Sequence, residues 1–165
     1  MRKVRRAAKA AAGRPGRILI IHGPNLNLLG SREPDVYGPE TIGSVNKRLR
    51  TIAKRYGAAM DVYQSNHEGA LIERVHSAKN HGVAWIIVNP GGLTHTSVAL
   101  RDALAAVRIP FVEVHLSNIY SREPFRRHSY FSDLAVGTVC GLGTRGYDFA
   151  LQFALESARR GSSPA

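Results

Sequence analysis

Apolar residues recur along this chain in two rhythms: short unbroken bursts and longer stretches of helical period. Residues 18–21 are a continuous apolar run, the pattern of a strand buried on both faces. Ile42, Val45, Leu49 and Ile52 then recur at helical spacing, and Gly57 follows as a C-terminal cap. Residues 58–63 read as a second strand, and Leu71, Val75 and Ala78 mark a second helix closed by His81 and Gly82. The third strand is 84–88, with Leu100, Leu104 and Val107 marking the helix after it. Residues 111–114 and 135–140 are the fourth and fifth strands, and 147–159 the closing helix. This order predicts an α/β fold, a doubly wound five-stranded parallel sheet in one domain over 17–160.

Composition narrows the class. The chain has 165 residues and is 44% hydrophobic, enough for one domain with a substantial core. No run approaches the ~20 apolar residues of a membrane-spanning helix, so no membrane role is expected. Cys140 is the single cysteine, which excludes an internal disulfide and suits a reducing, cytoplasmic setting. The net charge of +11 invites a nucleic-acid reading, but Arg2, Lys3, Arg5, Arg6, Lys9 and Arg14 supply more than half of it. They sit in an acid-free segment, 1–16, whose alanines 10–12 are too few for a secretory core. Its composition predicts a disordered, solubilising tail, with an organellar presequence as the alternative. Residues 161–165 are expected to be a flexible end. No nucleic-acid partner is expected of the domain.

In doubly wound sheets ligands bind beyond the C-terminal ends of the strands. Those ends are polar and glycine-rich here: His22–Asn27 after the first, Gln64–Glu68 after the second, Asn89–Ser97 after the third and His115–Asn118 after the fourth. The opposite ends carry ordinary turn residues such as Gly57, Gly82 and Pro110. No dinucleotide, P-loop or nucleophile-elbow spacing occurs, and the histidines show no metal-binding spacing, so neither cofactor nor metal is expected. None of the five lysines is placed like a Schiff-base former. An acid–base site remains. Glu113 and His115 lie two apart on a strand and so share a face, where a carboxylate fixes the imidazole tautomer. Arg122 and Arg126 share a face if their stretch is helical. The polar, Pro-rich segment from Gly30 to Pro39 looks like a flap.

These residues carry a resemblance. The run from Gly23 to Gly30, followed by Arg32-Glu33-Pro34 and Tyr37-Gly38, is similar to the opening signature of type II 3-dehydroquinate dehydratases. Thr94-His95-Thr96-Ser97, the run from Glu113 to Asn118, and Phe125-Arg126-Arg127-His128-Ser129 resemble that family's later motifs, in the same order. The resemblance implies a flavodoxin-like fold and anti elimination of water from 3-dehydroquinate, through an enolate, in the shikimate pathway. By matching motif, Tyr37 is the implied base, Arg32 stabilises its phenolate and the transition state, and His115 is the acid with Glu113 orienting it. Asn25 would hold the water that polarises the enolate. Asn89, with the backbone of Leu116 and Ser117, would hold the substrate carboxylate. His95, Asp102 and Arg126 would bind ring hydroxyls, and Arg122 would complete the closed flap. His95 and Asp102 are seven apart, roughly 10 Å along a helix at ~1.5 Å per residue, a long reach for one small ring. The family's homododecamer, a tetramer of trimers, answers this by bringing the aspartate from a neighbouring subunit. Two departures stand out: His22 where an asparagine is frequent, and Pro124 where an acid is frequent. A flavodoxin-like binding module would share the fold, but would need a phosphate loop or an acidic pocket where this chain has Asn25 and Asn27.

Overall fold

Arg17–His22 forms β1, buried from Ile18 onward because both of its faces are covered. A computed structural model describes residues 15–31 and 40–161. Among these, β2 (Met60–Gln64), β3 (Val83–Asn89), β4 (Phe111–His115) and β5 (Gly137–Cys140) complete one sheet of order β2-β1-β3-β4-β5. Every pairing is parallel. The α-helices among the described residues are α1 (Ile42–Arg55), α2 (Glu68–Asn80), α3 (Val98–Val107) and α4 (Arg145–Arg160). This is the flavodoxin-like order, with its switch point between β1 and β3.

The helices start where short polar side chains cap them. Thr41 Oγ1 accepts from the Ser44 N–H at 3.2 Å, and Ser97 Oγ from the Leu100 N–H at 2.9 Å. Val45 and Leu49 of α1 and Tyr147 and Leu151 of α4 cover one face of the sheet, over Ile18, Ile20, Trp85, Ile87, Val112 and Val114. Leu71 and Val75 of α2 and Leu100 and Leu104 of α3 cover the other, over Leu19, Ile21, Ile86, Val88 and Phe111. No helix among the described residues is long and apolar enough to cross a membrane.

The expected elements are present, with two informative differences. β2 begins at Met60 rather than residue 58, because the Ala58 N–H still closes the end of α1, donating to the Ala53 carbonyl at 3.0 Å. The stretch carrying Arg122 and Arg126 is not one helix but two 3₁₀ turns, Ile119–Ser121 and Pro124–Arg126. Pro124 holds the preceding Glu123 in an extended conformation (φ −59°, ψ 145°), which splits the segment. Arg32 and Tyr37, with most of the expected flap, lie outside the described residues, as do 1–14 and 162–165.

Candidate active site

The strand ends at the switch point converge on a cavity of about 220 Å³. Asn25 comes from the loop after β1, Asn89 and His95 from β3 and the turn after it, and His115, Leu116, Ser117, Arg122 and Arg126 from β4 onward. Two glycines let the β1 and β3 loops interlock. Gly23 donates its N–H to the Asn89 carbonyl at 2.8 Å, and a Cβ there would lie 2.3 Å from the Pro90 carbonyl oxygen. Gly91, at φ +59°, packs reciprocally against Pro24. Asn25 itself is left-handed (φ 68°), and its N–H donates to Asn66 Oδ1 at 2.9 Å, so the loop after β2 sets its aim.

Glu113 and His115 share a face of β4, as the two-residue period requires. Glu113 is completely buried, and His115 Nε2 donates to its Oε1 at 2.7 Å. Ser129 Oγ donates to the same oxygen and Ser132 Oγ to Oε2, each at 2.6 Å. Burial alone would push this carboxyl up. The bonds from His115, Ser129 and Ser132 outweigh it and hold Glu113 below the usual carboxylate range. An ionised Glu113 accepts only, so the proton on that edge of the ring is fixed on Nε2 and Nδ1 is left for the cavity. Ser129 and Ser132 are positioning residues that periodicity does not reveal; only Ser129 fell within a recognisable motif.

His95 is held through Nδ1, which donates to the His128 carbonyl at 2.7 Å. Burial, together with the positive charge of Arg126, keeps this imidazole below its ordinary pKa despite that bond. Its Nε2 is therefore a hydrogen-bond acceptor, suited to a ligand hydroxyl. Arg126 lies over the Phe125 ring at 4.9 Å and donates from Nε to Glu123 at 2.8 Å. Arg122 reaches Ser117 Oγ at 3.4 Å. Asp102 is exposed on α3 and does not line the cavity. The described lysines, Lys47, Lys54 and Lys79, are exposed on α1 and α2. Among the described residues no group of three or more His, Cys, Asp or Glu side chains is gathered to hold a metal ion.

The cavity is thus lined by two guanidinium groups, two oriented imidazoles and amide donors, with no carboxylate among its described lining residues. This chemistry suits a small hydroxylated anion and proton transfer at His115. A family model described as dehydroquinase class II matches residues 16–155. A 3-dehydroquinate dehydratase of Laribacter hongkongensis is 64% identical over 141 residues, 86% of this chain and 91% of that one. One of Bordetella petrii is 61% identical over 137 residues, 83% of this chain and 95% of that one. The crystal structure of type II dehydroquinase from Butyrivibrio crossotus superposes with a TM-score of 0.83 at 41% identity, covering 86% of this chain and 99% of the other.

Proposed function

The chain belongs to the type II dehydroquinase family and is a hydro-lyase, and from that premise we propose that it removes water from 3-dehydroquinate by anti elimination, giving 3-dehydroshikimate. The observation that carries this reading is the buried Glu113–His115 pair, aimed into a cavity with cationic walls. Tyr37 is the base that takes the proton beside the ketone, with Arg32 favouring its phenolate. The resulting enolate is stabilised through a water held by Asn25. His115, as imidazolium, gives the proton on Nδ1 to the departing hydroxyl as the C–O bond breaks, and Glu113 offsets its charge. Tyr37 ends protonated and His115 neutral, so one proton passes back between them before the next turnover. Asn89 and the Leu116 and Ser117 backbone hold the substrate carboxylate. His95 and Arg126 take ring hydroxyls, Arg122 completes the closed site, and Asp102 serves a neighbouring subunit of a homododecamer.

The basic segment 1–16 and the end 161–165 stand outside the catalytic unit in this reading, and the enzyme works in the cytoplasm at the third step of the shikimate pathway. Incubation with 3-dehydroquinate should produce the ultraviolet band of a conjugated enone. No new band at micromolar enzyme would overturn the assignment.

A further inference from the structure

Behind the end of the cavity assigned to the carboxylate runs a buried polar chain that the elimination does not use. His22 closes β1, and the sheet register pairs it with Asn89 at the end of β3. Strand alternation from Ile20 and Ile87 turns both side chains toward α1 and α4. Tyr147 of α4 stands between them. Its hydroxyl is 2.7 Å from His22 Nδ1, and the Asn89 side chain lies near enough to favour the phenolate against the burial that opposes it. On the far edge of the ring, His22 Nε2 lies 2.9 Å from Asn46 Oδ1 of α1.

The backbone gives this chain a direction. The Gly91 N–H donates to Asn89 Oδ1 at 3.1 Å, so the amide oxygen faces its own loop and the NH₂ group faces Tyr147. The one Tyr147 hydroxyl proton then goes to His22 Nδ1, and the His22 proton sits on Nε2, toward Asn46 Oδ1. Burial favours this neutral ring, pushing the His22 imidazole down to about 4. His22 and Tyr147 are fully buried and Asn89 nearly so; a partner lost here is not replaced by water. An Asn89 Nδ2–H turned toward Tyr147 leaves the second Nδ2–H open to a ligand in the cavity.

We propose that His22 is a positioning residue for substrate binding: through Tyr147 it locks the Asn89 amide with its NH₂ group turned to donate to the substrate carboxylate. The proposal rests on the reading of Asn89 as a carboxylate ligand. Without an acceptor at position 22, the Tyr147 hydroxyl turns to donate to Asn89, and only the amide oxygen can accept. That flip sets the NH₂ group against the Gly91 N–H and unsettles the site.

The test is steady-state kinetics with 3-dehydroquinate on His22→Leu, His22→Asn, Tyr147→Phe, Asn89→Ala and the His22→Leu/Asn89→Ala double variant. Thermal unfolding of each confirms that it is folded. His22→Leu and Tyr147→Phe should raise KM roughly tenfold with kcat changed less than about twofold, the signature of lost ground-state binding. In His22→Asn the amide oxygen takes the place of Nδ1, and KM should return to within about twofold of wild type. Asn89→Ala should raise KM at least as much, and adding His22→Leu should raise it no further. If His22→Leu does not fold, Tyr147→Phe carries the test. A high KM in Asn89→Ala, with normal KM in folded His22→Leu and Tyr147→Phe, overturns the positioning role alone. Fully additive effects in the double variant overturn it as well. A normal KM in Asn89→Ala overturns the reading of Asn89 and this proposal with it.

Discussion

Tyr37 meets the heaviest single demand in the proposed mechanism. A free phenol titrates at ~10, so about 0.1% is phenolate at neutral pH. Service as a base requires lowering that value by roughly 2–3, or ~3–4 kcal/mol in favour of the anion. One cation at ~4 Å in an effective dielectric near 20 supplies about 4 kcal/mol, and Arg32 is the nearest candidate in sequence. Tyr37→Phe is therefore expected to abolish turnover while binding weakens modestly. Arg32→Ala should cut kcat severely and move the limb of the pH profile that reports the base to higher pH. Arg32→Lys should recover part of it, since an ammonium restores the charge without the planar fork. Profiles of kcat against pH decide; near-normal kcat in Tyr37→Phe removes Tyr37 as the base. His22 makes a separate prediction about stability. Burial pushes its pKa from 6.5 down to about 4, so between those values the unfolded chain binds a proton that the folded chain refuses. Its contribution is intact above pH ~6.5 and is lost as pH falls toward ~4, up to about 3 kcal/mol. Urea unfolding from pH 7 to pH 4 should show the advantage of wild type over His22→Asn shrinking by that order. Parallel curves would contradict the buried neutral ring.

At the scale of elements, the site depends on two loops that touch at glycines. Gly23→Ala places a Cβ 2.3 Å from the Pro90 carbonyl oxygen, backbone that has little room to yield. The variant is expected to lose about 3 kcal/mol in urea unfolding and to lose kcat/KM, because the displaced loops carry Asn25 and Asn89. Wild-type stability would contradict that packing. The same elements show what a sequence reveals. The strands were legible because burial on both faces of residues 18–21 and 84–88 leaves unbroken apolar runs, and the Glu113–His115 pair because strands have period two. Ser129 and Ser132 were not assigned their roles. They reach Glu113 from 16 and 19 residues away in a segment of turns, where no period relates position to direction. Asn66, which steers Asn25 from 41 residues away, was hidden for the same reason. The direction of the His22–Tyr147–Asn89 chain needed the register of β1 on β3, which hydropathy cannot supply.

For the whole molecule, the role proposed for Asp102 requires a neighbouring subunit. It is exposed on α3 and absent from the cavity lining, while α3 also edges a groove of about 540 Å³ along Leu104, Ile109, Leu134 and Val136. An aspartate lent to a neighbouring subunit predicts a large assembly, and light scattering in dilute buffer should show on the order of ten chains or more. A fully active monomer would contradict the shared site. The central claim is that a base and an oriented acid act from opposite faces of one small ring. The direct measurement is the fate of deuterium placed stereospecifically beside the ketone of 3-dehydroquinate. Label anti to the departing hydroxyl should be lost to solvent and label syn to it retained in the enone product. Loss of the syn label, with the anti label retained, would contradict the account.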